Sequence, residues 1–140
     1  MNRIPRFLAV AVAALLVACT HDSFAPNTNS VAGTYHLQAL TVTDIGSTRD
    51  WVAMGATMTM TLAPNAATTG RLFMPGAGAG GSDLDVSLEG TWTLTGQSVE
   101  FDQLYYSFVQ DVTFFATDNR LEGNHAFGLT GVSTRIVLTK

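Results

Sequence analysis

From Val31 onward the chain alternates between apolar and polar side chains, and the alternation has a period of two. Val31, Gly33, Tyr35 and Leu37 fall on one face, with Thr34, His36 and Gln38 on the other. Met58, Met60 and Leu62 alternate with Thr57, Thr59 and Thr61. The longest run sets Leu84, Val86, Leu88, Gly90, Trp92 and Leu94 against Asp85, Ser87, Glu89, Thr91, Thr93 and Thr95. Successive side chains of a strand point to opposite faces, so each run predicts a strand with one buried side. Gly96-Gln97 predicts a tight turn into a strand carrying Val99 and Phe101. Further strands are expected over 111–117, 120–127 and 133–139, with Asp118-Asn119 turning between the first two. After residue 30 no stretch keeps a helical period over ten residues. Short strands joined by turns predict an all-β antiparallel sheet. At this length it is expected to close into an up-and-down barrel of about eight strands, which leaves no exposed edge.

The first 18 residues follow a different pattern. Arg3 and Arg6 precede an apolar run from Phe7 to Val17, and Leu16-Val17-Ala18 leads to Cys19, the sole cysteine. Eleven apolar residues are too few for a transmembrane helix, which needs about 20, but suit the core of an export signal. Leu-Val-Ala-Cys resembles the lipobox of bacterial lipoproteins at every position. The resemblance implies cleavage before Cys19, acylation of that cysteine and attachment to a membrane through its acyl chains. Residues 1–18 are then a signal peptide, 19–30 the lipidated cysteine and a flexible tether, and 31–140 one domain. Thr20 rather than Asp in second place implies, by likeness to enterobacterial lipoproteins, a periplasm-facing outer-membrane location. Thr20 to Ser30 is polar and turn-prone, and fully stretched it spans at most about 38 Å.

Cleavage leaves 122 residues, enough for one ordinary core. It also removes two arginines, leaving five basic side chains against eleven acidic ones. Such a balance gives no electrostatic footprint for nucleic acid and no polybasic patch for anionic lipid. With Cys19 acylated, no disulfide forms and packing alone stabilises the domain.

A short internal echo refines the fold. Gly33-Thr34-Tyr35-His36-Leu37 recurs as Gly90-Thr91-Trp92-Thr93-Leu94. In a strand the glycine admits a close neighbour and the aromatic fills the space beside it. The element resembles the Gly-x-Trp of the first lipocalin strand, with Tyr35 in the tryptophan position. That resemblance implies a lipocalin-like barrel over 31–140, and Arg135 as the basic residue capping the aromatic.

Candidate chemistry is sparse. Gly76-Ala77-Gly78-Ala79-Gly80-Gly81 satisfies G-x-G-x-x-G, but a strand pattern follows it where a dinucleotide site requires a helix; a lip loop is the expectation. Asp83, Asp85 and Glu89 share one strand face, which cannot wrap a calcium ion. His36 and His125, without a cysteine, fall short of a zinc set unless strands add ligands. There is no Gly-x-Ser-x-Gly elbow. The domain is therefore expected to be non-catalytic, with no cofactor or metal. Its methionines and aromatics, among them Met54, Met58, Met60, Phe73, Met74, Trp92, Phe101, Phe108, Phe114, Phe115 and Phe127, suit either a filled core or a lined pocket. Met58, Met60, Met74, Trp92 and Phe101 are the candidate ligand-binding residues. The expected partners are a small apolar ligand or, alternatively, another envelope protein met through loops. Tyr105-Tyr106-Ser107-Phe108 is a candidate recognition patch.

Overall fold

The structure, a computed structural model, describes residues 24–127 and 131–140. Cys19 and the segment read as a signal peptide lie outside the described residues. The described chain is all-β apart from one helical turn, α1 (Thr28–Val31), and two short 3-10 turns. Its strands are β1 (Gly33–Asp44), β2 (Ser47–Asp50), β3 (Thr57–Leu62), β4 (Ala67–Met74), β5 (Leu84–Ser87), β6 (Gly90–Thr95), β7 (Ser98–Gln103), β8 (Phe114–Ala116), β9 (Arg120–Phe127) and β10 (Val132–Thr139).

These strands close into an eight-stranded antiparallel up-and-down barrel. The ring runs β1-β3-β4-β6-β7-β8-β9-β10, and β10 returns to β1 from His36↔Thr139 to Thr43↔Ser133. The two remaining strands extend existing ones. β2 occupies the place of β3 against the far half of β1, and β5 occupies that of β6 against the far half of β4. Closure satisfies backbone groups that an open sheet would leave on its edges.

The interior is the apolar side of the alternation. Tyr35, Met60, Leu72, Leu88, Trp92, Val99, Phe114, Leu121, Ile136 and Leu138 are buried in one cluster. Trp92 sits in the long run as its period requires, and its indole N–H donates to the Ala63 carbonyl at 2.9 Å. Gly96 turns β6 into β7 with φ 62°, and the turn at 118–119 joins β8 to β9.

Four features depart from the simple pattern. The register of β1 against β10 slips between Leu37 and Ala39, so the inward residues change from Tyr35 and Leu37 to Leu40 and Val42. One bulged residue shifts the parity of everything after it, which lets β1 run on to Asp44. The 84–95 run is two strands bent at Leu88-Glu89. Val31, read as the first position of the strand pattern, instead ends α1, whose other residues close the stretch read as a tether, and it is fully buried there. Lastly, Met54 and Phe115 are each 50% exposed, Met54 in a turn and Phe115 on the outer face next to buried Phe114.

One end of the barrel, the lower, is sealed. Asn27 and Ser30 form a capping box for α1, and the Tyr35 hydroxyl donates to the Val31 carbonyl at 2.6 Å. Burial pushes the Tyr35 phenol up to about 12. Lys140 Nζ donates to the Ser30 carbonyl at 2.6 Å and lies 5.5 Å from the centre of the Tyr35 ring. Arg135, expected in that capping role, stands instead on the outer face and pairs with Glu122 at 2.8 Å. The reason is parity: Thr134, Ile136 and Leu138 face inward, so residue 135 cannot. A Cβ on Gly33 would come within 2.8 Å of the Lys140 side chain, and one on Gly90 within 2.1 Å of the Asp102 carbonyl. The glycines of the echo are there for close approach.

Candidate functional site: a pocket in the barrel mouth

The other end is open. The ends of β1, β4 and β9 and the starts of β2, β5 and β10 meet around a pocket of about 370 Å³. Its apolar lining comes from Val42, Trp51, Met74, Ala77, Leu84, Phe108, Phe127 and Val132. Its polar lining is Asp44, Ser47 and Arg49, all from the β1–β2 hairpin, with Thr134. A concave, mainly apolar surface with a few polar groups to one side is the usual form of a small-molecule site.

Local structure fixes each wall. Register sets Arg49 opposite Val42, an inward position, and Trp51 follows on the same side, its backbone N–H reaching the Leu40 carbonyl at 2.9 Å. Phe108 opens the 3-10 turn Phe108–Asp111. That turn is capped by Ser107, whose hydroxyl donates to Gln103 Oε1 at 2.5 Å and accepts from the Val109 N–H at 3.3 Å. Phe127 packs edge-on against His125, with ring centres 4.5 Å apart. The glycine loop after β4 carries Ala77 at the rim, and the Gly76 N–H donates to Asp83 Oδ1 at 2.9 Å. The expected lip loop therefore lies at the mouth.

Trp51 is 9% exposed, and among the described residues its indole Nε1 has no hydrogen-bond partner. Buried donors are nearly always paired, so this one marks the pocket as a place where an acceptor is missing. Arg71, Arg120 and Arg135 each pair with a carboxylate, Asp85 for the first and Glu122 for the other two. Among the described residues Arg49 has no such partner.

Of the five candidate ligand residues, Met74 alone lines the pocket. Met60, Trp92 and Phe101 are core residues deeper in the barrel, and Met58 is buried beside the outer turn of Val52, Gly55 and Ala56. Leu84, Phe108 and Phe127 were read as apolar-face residues without being chosen as ligand-binding, whereas the lining residues that reasoning from sequence passed over are Trp51 and Arg49. The first signal for them is Arg49-Asp50-Trp51, an aromatic and a cation in a polar stretch.

The other candidates sort plainly. Asp85 is held below its ordinary carboxylate value by its hydrogen bond to Arg71 on the outer surface. His36 faces Thr59 at the lower end, six β1 positions below the level of Val42, where the strand ladder places His125. Among the described residues no three His, Cys, Asp or Glu side chains are grouped to hold a metal. Leu104, Tyr105 and Tyr106 are 76%, 57% and 71% exposed in one loop.

The geometry thus defines a closed up-and-down β-barrel with one sealed end and one apolar mouth. No family model, no curated protein and no solved structure matches the chain.

Proposed function

We propose that this protein is a lipid-anchored envelope lipoprotein whose non-catalytic barrel binds a small apolar ligand in its mouth. The observation that carries the binding reading is the pocket of about 370 Å³, floored by Trp51, Met74, Leu84, Phe108 and Phe127. Apolar side chains held around an open concavity keep water in a poor environment, and an apolar guest that displaces it gains free energy with the area it buries. The anchoring rests on Leu16-Val17-Ala18-Cys19. The chain enters β1 at the sealed end, so a tether attached there leaves the mouth on the opposite side of the barrel.

Titration with a fluorescent apolar probe tests the binding. The wild type should saturate at one site, and Leu84→Trp, which fills the mouth, should weaken uptake at least about tenfold with a nearly unchanged melting temperature. Unsaturable binding, or none, contradicts the proposal. Anchoring is checked by mass spectrometry of the membrane fraction, where an unmodified Cys19 would refute it.

A second reading, docking of another envelope protein, is favoured by one observation: three large apolar or aromatic side chains, Leu104, Tyr105 and Tyr106, stand exposed in a single loop.

A further inference from the structure

We propose that the ligand of the mouth pocket is a single-chain amphiphile with a monoanionic head group, seated with its head against Arg49 and the Trp51 indole N–H. This rests on the mouth being the binding site, and it names the chemistry that the site selects.

The polar groups of the pocket, Thr134 apart, are gathered on one hairpin. Asp44, Ser47 and Arg49 all belong to the β1–β2 hairpin, while the facing wall of Met74, Leu84, Phe108 and Phe127 is apolar. A guest that matches both sides has a polar end and an apolar body. Two donors on the hairpin side lack acceptors. The Trp51 Nε1 has none, and Arg49 has no carboxylate within ion-pair distance among the described residues. Residues 49 and 51 share one face of an extended segment, so both donors approach the same end of the pocket. A neutral, acceptor-free guest would bury them unpaired, which is costly; an anion that accepts from both satisfies them together. The planar guanidinium suits a carboxylate in particular. Asp44 limits the charge. Its Oδ1 accepts the Ile45 N–H at 2.6 Å, which holds a negative charge at the same rim and disfavours a dianion. The indole nitrogen is itself buried, so seating the acceptor requires the ring to turn.

The test compares decanoate with 1-decanol, below their aggregation limits, on the full chain by calorimetry. The wild type should bind decanoate at least about tenfold more tightly, the worth of one charge-assisted hydrogen bond. Arg49→Gln and Trp51→Phe should each remove most of that preference, lowering decanoate affinity far more than decanol affinity. The Trp51 indole N–H resonance should move farther downfield with decanoate, an ionised acceptor, than with decanol. Equal binding of the two ligands by the wild type, or variants that keep the preference, would overturn the head-group inference while leaving an apolar mouth intact. Binding of neither ligand, nor of the apolar probe, would remove the mouth site itself. Should Trp51→Phe melt prematurely, Arg49→Gln, at an exposed rim position, still decides.

Discussion

The two ends of the barrel are built from similar residues and do opposite things. At the sealed end an aromatic, a cation and a short helical turn are bonded to one another: Tyr35 to Val31, and Lys140 to Ser30 and over the Tyr35 ring. At the mouth an aromatic and a cation again sit side by side, as Trp51 and Arg49, yet among the described residues neither has a partner of the matching kind. Polar groups satisfied within the fold contribute stability, whereas donors left open beside a cavity are available to something that binds. That contrast separates structure from function along one barrel axis.

Breaking the sealed half should have the largest effect. Trp92 is 2% exposed and hydrogen-bonded, so Trp92→Ala should cost about 3–5 kcal/mol in urea melts. Thr93→Ala, one residue on and facing outward, should change stability by no more than about 0.5 kcal/mol. Comparable losses would show that the register is wrong.

Lys140→Ala should cost less, about 1 kcal/mol, because a hydrogen bond and a cation–π contact at a partly solvated site are lost. Amide exchange at Val31 and Ala32 should quicken at the same time, while amides around the mouth keep their rates. Equal quickening at both ends would mean that the sealed end has no separate clasp.

The smallest effect belongs to the outer wall, which takes no part in the contrast. Burial raises the Glu122 carboxyl, but its bonds to Arg135 and Arg120 outweigh that and hold it below its ordinary value. A depressed carboxylate stabilises above its unfolded value and loses that contribution as pH falls through the folded one. Glu122→Gln should therefore cost up to about 1 kcal/mol at neutral pH, less in high salt, and nothing in strong acid. A cost independent of pH would exclude the ion pairs as its source.

Much of the barrel was legible because period two reports which face is buried, and it did so correctly for 90–95 and 98–103. It does not report height along the axis. Met60, Trp92 and Phe101 were rightly placed inside, but only structure shows them below the mouth. Nor does it survive a bulge: the slip at 37–39 hides the outer half of β1, and with it the hairpin that carries Arg49. Lys140 was missed as the clasp because a terminal lysine has no pattern around it, whereas the outward position of Arg135 was readable from apolar Ile136 beside it. Phe114 and Phe115 are adjacent and so could not both be core. The pocket itself joins strand ends far apart in sequence, and no local signal announces such a meeting.

The claim that the mouth is the binding half is tested most directly by mapping a saturating apolar probe onto the protein by NMR. The resonances of Met74, Leu84, Phe108 and Phe127 should shift with one common dissociation constant, while those of Tyr35, Leu62 and Leu138 at the sealed end stay in place. Shifts centred on Leu104, Tyr105 and Tyr106, or spread through the lower core, would contradict it.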